Sequence, residues 1–123
     1  MKSIDKKIQT TLYLNKVNHM KLIYQSKQIE CQECKPIWSR FKGFMFQKNI
    51  NSCLYFNHCN SIHTFFMKEK IDVILCDKNN TILYYYKDLK PNKIILPKKN
   101  VTKTYELPTN YFNFKMKEKV KIK

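Results

Sequence analysis

The sequence has no alanine, one glycine (Gly43) and one arginine (Arg40) in 123 residues. So little glycine excludes collagen-like chains and flexible glycine-serine linkers. Acidic residues are also scarce, with Asp+Glu 9 against Lys+Arg 24 and a net charge of +15. Long apolar runs are missing too. The longest early one is Leu12-Tyr13-Leu14, against the roughly 7–15 residues of a secretory core and roughly 18 of a membrane span. No export segment or span is therefore expected, and five cysteines without an export signal point to reduced thiols in a cytoplasmic protein.

What is present is enough to fold. Hydrophobic residues make up 43% and aromatics 14%, which excludes a disordered basic tail and fits one domain over residues 1–123 with a single modest core. Lysine, asparagine, isoleucine, tyrosine and phenylalanine are AT-rich codon choices, so compositional drift accounts for lysine replacing arginine. It does not account for the shortage of acids. The remaining positive field favours solubility and non-specific attraction to polyanions.

Periodicity predicts short strands. Thr11–Leu14, His19–Glu30, Cys53–Phe56, Ile62–Met67, Ile71–Cys76, Thr81–Tyr86 and Val101–Leu107 are β-branched or aromatic runs, the later ones reading as a meander. Asp77–Asn80 reads as a hairpin loop with Asn80 in the left-handed conformation. Lys115–Lys123 alternates strictly, placing five lysines on one face and Met116, Val120 and Ile122 on the other, as in one half-buried strand. Pro36–Phe46 carries Ile37, Trp38, Phe41, Phe44 and Met45 at helical spacing. The expected fold is mainly β (α+β), a small antiparallel β-barrel or rolled sheet with one short helix.

Arg40–Met45, Cys59–Met67 with its Ser-Ile-His-Thr-Phe-Phe-Met core, and Ile71–Ile74 form an ordered series of motifs. Asp77–Ile82, Leu89-Lys90-Pro91 and Tyr105-Glu106-Leu107-Pro108 continue it. In this series the chain resembles a bacterial and archaeal family, domain of unknown function 192, over about residues 29–123, which leaves 1–28 as an N-terminal extension. The resemblance implies a compact, mostly β fold with a short helix, and no activity. The chain departs from the family pattern at Phe46-Gln47 (usually Gly-Arg), at Glu69-Lys70 (usually Phe-Pro), at His58 (often Pro), and at Thr109-Asn110, where a Gly is missing.

Three constellations carry chemistry. An arginine that survives drift suggests a bidentate role that an ammonium does not fill, either in a salt bridge to Asp72 or Glu106 or as a ligand anchor. A ligand pocket built on it would use Arg40, Asn60, Ser61, His63, Phe66, Met67 and Asp72, with Arg40 supplying charge and Phe66 and Met67 an apolar wall. Second, Cys59 as nucleophile, His63 as base and Asp72 as orienter would make a small hydrolase or transferase. Third, Cys31-x2-Cys34 with Cys59-x3-His63 offers four zinc ligands in a permissible order, although packing cysteines explain the same residues. Tyr84-Tyr85-Tyr86 and Phe65-Phe66 among the lysines would suit weak nucleic-acid binding. The favoured reading is a non-enzymatic module for an unknown small ligand or protein partner, and no motif calls for a cofactor.

Overall fold

The computed structural model describes residues 20–35 and 42–123. Among them are nine strands: β1 Met20–Tyr24, β2 Lys27–Glu33, β3 Cys53–Asn57, β4 Ile62–His63, β5 Ile71–Cys76, β6 Ile82–Leu89, β7 Ile94–Ile95, β8 Lys103–Leu107 and β9 Lys121–Ile122. Seven form one sheet in the order β6-β5-β8-β3-β2-β1-β9, and β4 pairs with β7 in a separate ribbon.

The sheet curls into a half-barrel. Its edges, β6 and β9, are joined by the C-terminal segment, whose Lys119 bridges Thr81 just before β9 pairs with β1. Side chains alternate along each strand, and a core forms on each face, while the outward residues of β2 stay exposed. One face gathers Leu22, Cys31, Cys53, Ile74 and Tyr105 beneath Phe112, Phe114 and Val120. The other gathers Leu54, Phe56, Val73 and Leu75 beneath Phe44, Met67 and Ile95. The mainly β, rolled-sheet architecture expected from the sequence is what forms.

Several local expectations change. The later strands are not a meander: β8 inserts between β3 and β5, so those two never pair. The sheet is not wholly antiparallel, since β2 runs parallel to β3, with Cys31 opposite Cys53. The stretch His19–Glu30 divides into a hairpin at Gln25-Ser26, both at positive φ (48° and 64°), the backbone of a two-residue turn without the usual Asn-Gly. The run Ile62–Met67 stops at His63, because Phe66 turns to φ 62°. The terminal alternating segment is no continuous strand: Lys117 breaks it at φ 73°, Met116 is exposed, Lys119 makes an isolated bridge to Thr81, and Lys121–Ile122 alone forms a strand. Asn80 adopts φ 62°, as its hairpin position requires. The Thr11–Leu14 strand lies outside the described residues. So does most of the Pro36–Phe46 helix, of which Lys42 is helical and 43–46 a turn.

Candidate functional site

The strand β8 lies inside the sheet, flanked by β3 and β5, and is buried on both faces from Thr104 to Leu107. Tyr105 and Leu107 fill one core, and Thr104 and Glu106 point to the other. Thr104 fixes a loop, its hydroxyl donating to the Cys59 carbonyl at 2.9 Å while the Cys59 N–H reaches the Thr102 carbonyl at 2.9 Å. Glu106, two residues on and opposite Leu54 and Val73, is 3% exposed.

Over Glu106 lies the turn that begins at Lys42. Met45 N–H donates to the Lys42 carbonyl (2.8 Å), and Phe46 N–H donates to the Phe66 carbonyl (2.9 Å), tying the turn to the segment after β4. Gly43 has φ +50°, and an added Cβ would stand 2.9 Å from Oε1 of Glu106. Only glycine allows both this conformation and this approach.

Between the turn and the loop is a cavity of about 220 Å³ lined by Lys42, Gly43, Phe56, Cys59, Ser61, Ile62, His63 and Glu106. Oε1 of Glu106 is buried and has no hydrogen-bond partner among the described residues. Burial raises the Glu106 carboxyl from the ordinary 4.5 to about 8, and the Phe44 N–H donating to it only moderates the rise. At neutral pH the group is therefore mostly a neutral acid, an O–H donor as well as an acceptor. A larger cleft of about 440 Å³ near Tyr24, Lys27 and Tyr111 contains no such unpartnered buried group among the described residues.

The other residues singled out in the sequence fall in different places. Ser61 and His63 line the cavity, as does Cys59, whose thiol donates to the Ser61 carbonyl at 3.1 Å. Nδ1 of His63 accepts the Phe65 N–H at 3.2 Å, which leaves the proton of the neutral ring on Nε2. Asn60 is exposed and engages through its backbone carbonyl, which accepts from Lys98 N–H. Phe66 is 61% exposed and stacks on Phe46, ring centres 5.6 Å apart, while Met67 is buried in the core. Neither forms a wall of the cavity. Arg40 lies outside the described residues.

Asp72 does not join Cys59 and His63. It pairs across β5–β8 with Leu107, on the sheet face opposite Glu106. There its carboxylate accepts the Asp88 N–H at 2.8 Å and the Asn110 N–H at 3.2 Å. Both donors are at positive φ, 55° and 61°, so Asp72 pins two left-handed residues, one in an irregularity of β6 and one in the turn after β8. Burial raises its carboxyl, and the two N–H groups oppose the rise. Nor do the four zinc candidates converge. Cys31 packs in one core and Cys34 in the other, on opposite faces of the sheet from each other, and the described residues hold no group of three or more metal-type ligands. The three consecutive tyrosines also divide, Tyr85 packing edge-on to Phe114 in one core while Tyr86 packs against the other.

Glu106, expected from the sequence only as a salt-bridge partner of Arg40, is a site residue that the structure adds. The available signal was a charged residue in register with Thr104 on a strand whose alternate residues, Tyr105 and Leu107, are apolar. A central strand buries both sets.

Fold and site together define a small half-barrel β domain with a buried acid under a glycine turn. The chain belongs to the family domain of unknown function 192, described as uncharacterized ACR, whose profile matches residues 20–122 and so takes in β1 and the whole of β2. Two solved structures share the fold. One is a protein of unknown function from Novosphingobium aromaticivorans DSM 12444 (11% identity, 84% of this chain and 83% of that one, TM-score 0.67). The other is a candidate transcription regulator from Sinorhizobium meliloti 1021 (13% identity, 85% of this chain and 92% of that one, TM-score 0.68). At these identities the likeness is one of fold alone. No curated protein matches the chain.

Proposed function

We propose that this chain is a non-enzymatic binding module that takes a small ligand into the cavity between the Lys42–Gly43 turn and the Cys59–His63 segment. The observation that carries the reading is the buried Oε1 of Glu106, which lies against Gly43 and has no partner among the described residues. An orphaned polar atom of this kind costs about 1–3 kcal/mol, and a ligand that pairs with it recovers that cost on binding.

The geometry supports binding over Cys–His catalysis. An orienting acid grips the base through Nδ1–H, whereas Nδ1 of His63 is an acceptor for a backbone N–H and Asp72 is on the opposite face of the sheet. Five free thiols support a cytoplasmic setting for the module, and no helix among the described residues is long and apolar enough to cross a membrane.

The test is an amide-resolved NMR screen of a fragment panel spanning carboxylates, amines, amides and alcohols. At least one class is expected to shift Gly43 and Cys59–His63 saturably, and Ile62→Trp, which fills the cavity, to abolish the effect. A folded protein whose cavity amides respond to no fragment of any class contradicts the reading.

A further inference from the structure

The chemistry of the cavity narrows the ligand, on the reading just given. Two backbone acceptors on this wall are already engaged: the Ser61 carbonyl takes the Cys59 thiol and the Asn60 carbonyl takes the Lys98 N–H. Oε1 of Glu106 has no partner among the described residues, so as a neutral acid the group lacks an acceptor for its O–H there. Lys42 on the wall and the +15 charge of the chain favour an anion in that place. Phe56 and Ile62 supply an apolar surface. The volume of about 220 Å³ is below the roughly 300–1,000 Å³ of sites for drug-sized ligands, so the ligand is short.

We propose that the cavity binds a short aliphatic carboxylate, one of whose oxygens accepts a hydrogen bond from the protonated Glu106. The ligand's charge faces Lys42, and its hydrocarbon lies on Phe56 and Ile62. Binding is then linked to a proton, because ionised Glu106 offers no donor and repels the anion. Among the described residues, the other titratable groups on the cavity are Lys42, Cys59 and His63. Cys53, whose thiol feels the Glu106 charge, packs in the core on the opposite face. An alkylammonium would require the opposite, an ionised Glu106, and would bind more tightly as pH rises.

The experiment titrates the full chain with sodium butyrate and, separately, n-butylamine hydrochloride at fixed ionic strength, following the amides of Gly43, Ile62 and His63 by NMR. Butyrate is expected to move these amides at about pH 7 and to weaken by about tenfold per pH unit above about 8. Glu106→Gln keeps an N–H donor without the titration, and its butyrate affinity is expected to lose that dependence. Cys59→Ser, which removes the wall thiol, is expected to keep it. Butylamine binding that tightens with pH, butyrate binding that ignores pH in the native chain, or no response to butyrate at all overturns the carboxylate assignment. The wider fragment panel decides the cavity reading separately. A pH dependence that disappears in Cys59→Ser and persists in Glu106→Gln moves the linkage to the thiol and also overturns the proposal.

Discussion

The backbone of Gly43 lies so close to Glu106 that a single added carbon would stand 2.9 Å from Oε1. The contact joins the one glycine of the chain to a buried acid on the central strand, and the roof of the cavity depends on it. Gly43→Ala meets both a left-handed backbone and a carboxylate oxygen. The expected cost is about 1–2 kcal/mol, read from the urea midpoint, with displaced amide resonances at Cys59–His63. A variant as stable as the native chain would show that the approach is looser than described.

The raised Glu106 carboxyl makes stability depend on pH. Its folded value is about 8 against an ordinary 4.5, so between these values the folded state holds a proton that the unfolded state has released. The stabilisation is complete below about 4.5 and is lost as pH rises through about 8. Glu106→Gln does not titrate. Its stability relative to the native chain is expected to rise by a few kcal/mol across that window, measured by urea denaturation at several pH values. A difference that stays constant with pH contradicts the buried acid.

Asp72 is expected to matter for folding and not for the cavity. Asp72→Asn leaves one oxygen for two backbone donors, Asp88 N–H and Asn110 N–H, at a cost of about 1–3 kcal/mol. Thermal unfolding reads the loss. Fragment-induced shifts at Gly43 and His63 should persist, and their disappearance would tie Asp72 to the site across the sheet.

Asn80 combines a left-handed backbone, φ 62°, with a side-chain oxygen that accepts from the buried Tyr105 hydroxyl at 2.6 Å. Drift from glycine explains the first property and not the second. Asn80→Gly relieves the backbone and orphans the hydroxyl, so a net loss of about 1 kcal/mol is expected. A gain in melting temperature would mean that backbone relief outweighs the bond.

Much of the architecture is legible in the sequence because it is local. The aromatic run of β3, the β-branched run of β5, the Asp77–Asn80 hairpin and the left-handed Asn80 follow from residue chemistry within a few positions. Family departures are legible in the same way: Phe46, which stands where the resembled family has glycine, is at φ 64°, and Asn110, of the Thr109-Asn110 pair in place of the missing Gly, is at φ 61°. What the sequence does not disclose is pairing between distant segments. The insertion of β8 between β3 and β5, the parallel β2–β3 pair and the C-terminal bridge to Thr81 depend on contacts far apart in the chain. The site divides along the same line. Ser61 and His63 stand beside Gly43, as their motifs suggested, but the facing of Asp72 and Glu106 depends on strand register. A one-residue difference in register sends a side chain to the opposite core.

The most direct test of the buried-acid site is the carboxyl carbon resonance of Glu106, followed by NMR through a pH titration with and without saturating butyrate. A midpoint near 8, moving higher when butyrate is bound, is the predicted result. A midpoint near 4.5, or one that butyrate moves downward, would contradict it.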